Sequence, residues 1–151
     1  MEIYNLKDKK EYLEEVAILE HNEWAKNKED NYQERIKRKI AKINSLFEEK
    51  NFVKLILLDS KELIGFISIF PNDCDEYKEL TPWYATIYVK EKYRNKGYSK
   101  ILTKAILEKA KTMNINRLYL KTELKGYYEK LGAKYYKKLN ERENIYYFDI
   151  K

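Results

Sequence analysis

Three apolar runs lie close together in the middle of the chain and predict neighbouring β-strands. Phe52–Leu58 and Leu63–Phe70 are separated only by a short polar segment, which is the pattern of a β-hairpin. A third run, Trp83–Val89, predicts another core strand, one face of which is expected to carry Ala85, Ile87 and Val89. Any fold of this chain must therefore be built around a β-sheet.

Helical patterns lie on both sides of these strands in the sequence. Apolar residues recur every three or four positions from Tyr32 to Phe47, which predicts a helix over residues 31–49, and a second such pattern predicts a helix that begins near Gly97. The other expected elements are a strand at Ile3–Leu6, a helix from about Lys10 to Lys26 capped by Asp8, a strand at Leu118–Leu120, a helix at Leu124–Leu131 closed by Gly132, and strands at Lys134–Lys138 and Ile145–Ile150. The order is that of a mixed α/β fold.

The counts of histidine, cysteine and glycine exclude several kinds of site. His21 is the only histidine and Cys74 the only cysteine, so zinc sites that need two or more such ligands cannot be assembled, and we expect no metal. The four glycines are too dispersed for a Rossmann or Walker phosphate loop.

Other features concern organisation and location. The chain has 151 residues without a linker or repeat, so we expect a single domain over residues 1–151. The lone Cys74 favours a reducing, cytoplasmic setting. No apolar stretch approaches roughly 18 residues, and we therefore expect neither a signal peptide nor a membrane span.

The chain carries a formal net charge of +6, which favours an anionic partner such as nucleic acid, a membrane surface or a phosphorylated cofactor. Charge alone does not choose among them. A nucleic-acid-binding module is one alternative, in which phosphates would contact the basic face of the helix at 31–49, formed by Arg35, Lys37, Arg38, Lys39 and Lys42. The chain lacks a recognised nucleic-acid motif, and acidic residues flank this stripe.

The loop after Trp83–Val89 has the features of an anion site. Residues 94–99 read Arg-Asn-Lys-Gly-Tyr-Ser and connect the predicted strand to the predicted helix. The first N–H groups of a helix have no partner within it and, together with the helix dipole, attract phosphate. Gly97 allows a positive φ and close approach of a ligand. This segment is the strongest candidate for a binding site.

Residues 94–99 resemble the Arg/Gln-x-x-Gly-x-Gly/Ala signature of the GNAT superfamily of N-acetyltransferases, with Ser99 at a position where Gly or Ala is usual. Residues 126–133, Gly-Tyr-Tyr-Glu-Lys-Leu-Gly-Ala, resemble the aromatic-Tyr-x-x-x-Gly segment that this family places on its last helix. The resemblance extends from about Phe52 to Lys151. It implies a mixed, largely antiparallel central sheet flanked by helices on both faces.

The same resemblance implies an acetyl-coenzyme A-dependent N-acetyltransferase that acts on a primary amine of a small molecule or peptide. In that family the loop N–H groups hold the pyrophosphate, and the acyl arm runs along the preceding strand. The residues expected to bind the cosubstrate are Ile87, Tyr88, Val89, Arg94, Asn95, Lys96, Gly97, Tyr98 and Ser99. The resemblance assigns Tyr128 as the general acid toward the coenzyme A sulfur, since a phenol of pKa about 10 is protonated at neutral pH.

The acceptor and the general base are left open. The stretch Pro71–Glu79 contains four acidic residues and one lysine, which would attract a cationic amine. The residues expected to contact the substrate are Asp73, Trp83 and Glu123, and the carboxylates considered as a base are Asp73, Asp75 and Glu123. His21 and Trp24 are further candidates for the acceptor pocket. A non-catalytic coenzyme A sensor and a homodimer also remain open.

Overall fold

The computed structural model describes residues 1–25 and 31–150, and within these ranges seven strands form one sheet flanked by three α-helices. The strands are β1 (Glu2–Asn5), β2 (Val53–Asp59), β3 (Glu62–Phe70), β4 (Trp83–Val89), β5 (Arg117–Thr122), β6 (Lys134–Lys138) and β7 (Asn144–Asp149). The helices are α1 (Leu13–Trp24), α2 (Tyr32–Leu46) and α3 (Tyr98–Thr112). The strand order is β1-β2-β3-β4-β5-β7-β6, antiparallel throughout except for the parallel pair β4 and β5.

The two faces of the sheet are covered by different helices. Successive residues of β2 point to opposite faces, so that Leu55 and Leu57 pack beneath α3 while Ile56 and Leu58 pack beneath α1 and α2. Because both faces are covered, β2 and β3 are apolar almost throughout rather than at every second position. The expectation of a largely antiparallel sheet with helices on both faces is confirmed.

The start of the chain differs from its prediction. Residues 6–8 and 10–12 form two single turns of 3-10 helix, and the α-helix begins only at Leu13. Asp8 lies inside the first of these turns and does not cap α1; the cap of that turn is Asn5, whose side chain accepts a hydrogen bond of 3.0 Å from the N–H of Lys7. Lys26, where the helix was predicted to end, lies outside the described residues.

The helix predicted at Leu124–Leu131 is also absent from the described chain, where only Glu129–Leu131 form a 3-10 turn. Gly126 has a φ of +84°, which interrupts a right-handed helix, and its N–H bonds to the Glu129 carboxylate at 2.8 Å. Gly132, at φ +104°, closes the turn as predicted. Within residues 124–131 the turn buries Tyr128, whereas Leu124 is left 53% exposed.

A β-bulge in β4 corrects the prediction that Ala85, Ile87 and Val89 share a face. Phe66 pairs with Tyr88 and Ser68 pairs with Ala85, so two residues of β4 lie opposite the single Ile67 of β3. Past the bulge the alternation changes sides, so that Ala85 faces away from the α3 side of the sheet. Tyr84 and Val89, five positions apart, accordingly pack in the same cluster beneath α3.

Two further features place β4 in the sheet. Gly65 of β3 allows close contact, because a Cβ there would lie 2.3 Å from the carbonyl oxygen of Tyr88. On the other side, β4 and β5 are paired only at Trp83 and Tyr119, and beyond that point the two strands separate. The sheet is therefore open between β4 and β5, next to the bulge. No helix within the described ranges has the length and apolar character needed to cross a membrane.

Candidate active site

Two cavities adjoin where β4 and β5 separate, and both are lined by Ile87 and Tyr128. The first, here called the loop cavity, has a volume of about 500 Å³ and lies at the beginning of α3. Its lining residues are Ile87, Tyr88, Val89, Tyr93, Arg94, Asn95, Gly97, Tyr98, Ser99, Lys100, Leu124, Tyr127 and Tyr128.

The second, here called the α1 cavity, has a volume of about 440 Å³ and lies between α1, α2 and the open edge of β5. Its lining residues are Glu20, Trp24, Lys39, Asp73, Tyr84, Ala85, Thr86, Ile87, Leu120, Lys121, Tyr128 and Glu143. Two ligands that entered from opposite sides of the sheet would therefore meet at Ile87 and Tyr128.

The loop cavity is suited to a phosphorylated ligand. Gly97 precedes α3 at φ +86°, and apart from its neighbours in the chain no atom of residues 1–25 and 31–150 lies within 4 Å of the position that its Cβ would occupy. In the described chain no side chain caps this helix, and its first turn holds no acidic residue, so its N–H groups and its dipole are available to an anion. Arg94 is oriented by a 2.8 Å hydrogen bond from its Nε to the carbonyl oxygen of Val89.

The structure brings most of the expected cosubstrate residues together in this cavity. The exception is Lys96, which is not one of the described residues that line the cavity. Its Nζ lies 5.9 Å from the centre of the Tyr93 ring. Residues that sequence reasoning missed here are Tyr93, Lys100, Leu124 and Tyr127. Tyr127 connects two distant segments, because its hydroxyl and that of Ser99 are hydrogen-bonded at 2.8 Å.

Tyr128 is buried, with 8% of its surface exposed, at the junction of the two cavities. Its ring packs edge-on against Tyr127 and Tyr84, with centroids 4.9 and 5.6 Å apart. Burial raises the pKa of the Tyr128 phenol above its ordinary value of 10, and Tyr84 partly opposes this effect. The hydroxyl is therefore protonated at neutral pH and is available as a proton or hydrogen-bond donor.

The α1 cavity contains carboxylates and lysines in pairs. On one side the Nζ of Lys39 lies 3.3 Å from Oε1 of Glu20. On the other, the Nζ of Lys121 donates to the carbonyl oxygen of Asp73 and lies 4.0 Å from its carboxylate. Burial raises the pKa of Asp73 and Lys121 lowers it, while the nearby Glu143 adds a smaller upward effect. The cavity thus offers carboxylate oxygens to a cationic group, although the cavity itself carries no large net charge because Glu20 and Asp73 each lie beside a lysine.

A buried polar network that sequence reasoning missed lies beneath the α1 cavity. Lys54 of β2 is fully buried, and its ammonium donates hydrogen bonds to the Glu20 carboxylate and to Ser68 Oγ, with Thr86 Oγ1 at 3.4 Å. Burial lowers the pKa of the Lys54 ammonium, and Glu20 opposes this effect. A lysine in the middle of the run Phe52–Leu58 is a signal in the sequence that could have indicated such a site.

Thr86 lies in the β4 bulge at a φ of +50°, which is unusual for a β-branched residue and costs roughly 1–3 kcal/mol. Its hydroxyl donates a 2.6 Å hydrogen bond to Ser68 Oγ. Thr86 and Ile87, the two residues of the bulge, both line the α1 cavity. The strained backbone at Thr86 is thus tied to β3 by the hydrogen bond between the Thr86 and Ser68 hydroxyls.

The residues expected to bind the acceptor are not all brought together. Asp73 lines the α1 cavity, whereas Trp83 is fully buried and its indole N–H donates to the carbonyl oxygen of Leu80 at 2.7 Å. Glu123 does not line the α1 cavity but a neighbouring surface cleft with residues 140–143, of which Glu143 belongs to both. Of the four acidic side chains in the stretch Pro71–Glu79, only that of Asp73 lines the α1 cavity. The other three, Asp75, Glu76 and Glu79, are exposed and line neither cavity.

The two candidates on α1 also differ. Trp24 is 45% exposed, lines the α1 cavity and packs edge-on against Tyr88 with centroids 6.2 Å apart. His21 is buried, and its ring contacts that of Tyr32 at 5.3 Å. No group of three or more His, Cys, Asp or Glu side chains in residues 1–25 and 31–150 is placed to hold a metal ion.

A comparison with protein families agrees with this geometry. The sequence model of the acetyltransferase (GNAT) family matches residues 12–133, which is most of the chain. No curated protein sequence matches the chain significantly.

Solved structures share the fold at low sequence identity. An N-acetyltransferase from Staphylococcus aureus Mu50 has a TM-score of 0.72 at 16% identity and covers 100% of both chains. Aminoglycoside 6'-acetyltransferase type Ii has a TM-score of 0.71 at 16% identity, with 100% of this chain and 98% of that chain covered. PaiA N-acetyltransferase from Thermoplasma acidophilum, in complex with coenzyme A, has a TM-score of 0.66 at 19% identity, with 99% of each chain covered.

Proposed function

The chain belongs to the acetyltransferase (GNAT) family of acyl-coenzyme A-dependent acyltransferases, and we propose that it transfers the acetyl group of acetyl-coenzyme A to a primary amine held in the α1 cavity. One observation carries the proposal. Tyr128 lies at the junction of a cavity suited to a phosphorylated ligand and a cavity lined by carboxylates.

The cosubstrate side of the proposal rests on the loop cavity. The uncapped start of α3 offers its N–H groups to the pyrophosphate, and the open space at Gly97 leaves room for it. Arg94 and Lys100 add positive charge along the same wall. The acyl arm then extends along Ile87, Tyr88 and Val89 toward the bulge. When bound, the thioester supplies an activated acetyl group.

Acetyl transfer forms a bond between the amine nitrogen and the acetyl carbon and breaks the bond between that carbon and sulfur. An acceptor that enters as an ammonium must release one proton to water before it attacks, and the attacking nitrogen loses a second proton as the amide forms, while the departing thiolate must gain one. Tyr128 donates its phenolic proton to the departing sulfur, and the phenolate, which is a stronger base than the thiolate, regains a proton from the attacking nitrogen, so that Tyr128 ends the reaction as it began. The chain's further contribution is alignment, because the two cavities hold the reactants on opposite sides of one point.

The acceptor is proposed to be a compact cationic amine. Glu20, Asp73 and Glu143 offer carboxylates, and the rings of Trp24 and Tyr84 offer apolar contacts. Lys39 and Lys121 neutralise part of this charge, which favours an amine with few positive groups over a polycation.

Two measurements test the function. Calorimetric titration with coenzyme A should show binding, and the ligand at about 100 times its dissociation constant should raise the free energy of unfolding by about 2.7 kcal/mol. Mass spectrometry of amine mixtures incubated with acetyl-coenzyme A should then show a mass gain of one acetyl group, beginning with 2-phenylethylamine and spermidine as probes.

The outcomes separate the alternatives. Binding without any acetylated product would favour a non-catalytic coenzyme A sensor. If millimolar coenzyme A produces no heat of binding and no shift in melting temperature, the proposal is overturned. Salt-sensitive binding of RNA or DNA would favour the nucleic-acid-binding alternative. We also propose a cytoplasmic location, because Cys74 is buried and has no second cysteine in the sequence with which to pair.

A further inference from the structure

We propose that Lys54 is a positioning residue for this reaction, whose buried ammonium holds the Glu20 carboxylate where it receives the acceptor's ammonium and, at the same time, holds Thr86 at the β4 bulge. The inference rests on the proposed function for the identity of the ligand in the α1 cavity. It assigns roles to two charged side chains that no sequence motif indicates.

The geometry around the ammonium supports this role. A lysine ammonium has three N–H donors, and the three oxygen atoms near Lys54 belong to Glu20 on α1, Ser68 on β3 and Thr86 on β4. The rings of Phe66 and Phe70 lie 5.4 and 5.3 Å from the same nitrogen. With no solvent exposure, the group has one arrangement available, and it joins three elements of the site.

Stability alone is a poor explanation for this arrangement. A buried ion pair loses hydration that its mutual attraction only partly restores, and well-packed apolar residues of similar volume are often at least as stable. The neighbouring positions of β2 are apolar and buried. An apolar residue in place of Lys54 would therefore suit the core, whereas the lysine provides directed hydrogen bonds to two groups that line the α1 cavity.

Glu20 has capacity left for an acceptor. Its Oε2 accepts from Lys54, and its Oε1 lies 3.3 Å from Lys39, while a carboxylate offers about four lone-pair sites. Glu20 lines the α1 cavity although only 3% of its surface is exposed. The Lys54 bond fixes the carboxylate on the wall of the cavity, where it can receive an ammonium.

Thr86 is the second group that Lys54 holds. Its φ of +50° is strained, and such a conformation persists only where its surroundings determine it. The hydroxyl of Thr86 bonds to Ser68, and Ser68 in turn accepts from Lys54. Loss of the ammonium should release Ser68 and, through it, the bulge that presents Ile87 to both cavities.

The test compares four variants with wild type. Lys54→Met removes the ammonium, and Glu20→Gln/Lys54→Met removes both charges, which avoids an unpaired buried carboxylate if the single variant fails to fold. Thr86→Val removes only the hydroxyl and keeps the β-branched shape. Lys39→Met is the matched control, because it removes a cation from the same carboxylate on the partly exposed side.

Amide hydrogen exchange is the first readout and needs no substrate. The amides of residues 84–89 should exchange at least about tenfold faster, relative to residues 102–110 of α3 as an internal reference, in three variants. These are Lys54→Met, Thr86→Val and the double variant Glu20→Gln/Lys54→Met, here called the paired variant. Lys39→Met should leave this ratio unchanged. An unchanged ratio in the Lys54 variants would show that Lys54 is only packed, and would overturn the proposal.

Kinetics with 2-phenylethylamine and acetyl-coenzyme A is the second readout. The paired variant should raise KM for the amine about 10- to 100-fold, as expected for a lost hydrogen bond to a charged group, and should lower kcat as the bulge moves. Its affinity for coenzyme A should stay near wild type. Unchanged KM and kcat in folded protein would contradict the positioning role. If wild type neither binds coenzyme A nor acetylates an amine, the proposed function fails, and hydrogen exchange still decides whether Lys54 holds the bulge.

Discussion

The loop cavity and the α1 cavity share two residues but present their ligands with different kinds of group. The loop cavity presents backbone N–H groups and an open glycine at the start of α3. The α1 cavity presents side-chain charges in pairs, Glu20 with Lys39 and Asp73 with Lys121. Binding by backbone groups is altered only when a substitution changes the path of the chain or fills the space for the ligand. Binding by side chains can be altered one group at a time. Substitutions in the two cavities should therefore have separable effects.

The largest effect is expected at Tyr128, the residue that belongs to both cavities. Tyr128→Phe should lower kcat about 10²- to 10⁴-fold, the range for a lost general acid, with the affinity for coenzyme A near wild type. The measurement is steady-state turnover with the best amine of the screen, together with calorimetry.

Tyr127→Phe is the matched control for that experiment. It removes the neighbouring hydroxyl, which bonds to Ser99 in the loop cavity, so it should weaken coenzyme A binding more than it lowers kcat. Equal turnover of Tyr128→Phe and wild type would show that Tyr128 only separates the two cavities by packing.

The second effect concerns the loop cavity alone. Gly97→Asp should weaken coenzyme A binding by about 100-fold, because a carboxylate near the phosphates adds a repulsion of roughly 2–3 kcal/mol. The KM for the amine should change little. Calorimetry and thermal melts of the free protein measure binding and folding separately.

Gly97→Asn serves as the comparison for that variant. Asparagine tolerates a positive φ better than most residues and carries no charge, so it should retain much of the affinity. If aspartate and asparagine weaken binding equally, backbone strain at Gly97 is the cause and the phosphate lies elsewhere.

The third effect concerns the α1 cavity alone. Asp73→Asn should raise KM for a cationic amine about fivefold, consistent with a partly exposed ion pair worth roughly 1 kcal/mol, without change in coenzyme A affinity. The difference should shrink as salt is raised, because exposed charges are screened. Asp75→Asn, which alters an exposed side chain of the same loop outside the cavity, should match wild type.

The smallest effect is in the pH dependence of turnover. In its proposed role as general acid Tyr128 acts as the protonated phenol, and its raised pKa means that this form is lost only as pH rises above about 10. Wild-type kcat should therefore show no descending limb between pH 7 and about 9.5. A descending limb near pH 8 would indicate a different proton donor and would overturn the assignment of Tyr128 as the general acid.

Much of the fold and of the loop cavity could be predicted from local sequence. The strands from β2 to β4, the start of α3 at Gly97 and the stop at Gly132 each follow from a few adjacent residues. The prediction of a helix at Leu124–Leu131 was wrong because Gly126 takes a positive φ, which interrupts a helix, and the same apolar spacing is compatible with the tight turn that forms instead. The alternation predicted in β4 was wrong because a bulge depends on the partner strand as much as on β4 itself.

By itself the sequence determined the mixed sheet, the family and the start of α3 at Gly97, which is proposed to bind an anion, because each depends on residues that are neighbours in the chain and on backbone groups that every residue carries. Only the tertiary structure decided which side chains form the α1 cavity. Glu20, Lys54 and Thr86 lie on α1, β2 and β4, and no local pattern relates them. They meet because the sheet buries a lysine beneath a helix, and a buried ammonium must find its hydrogen-bond partners wherever the fold brings them.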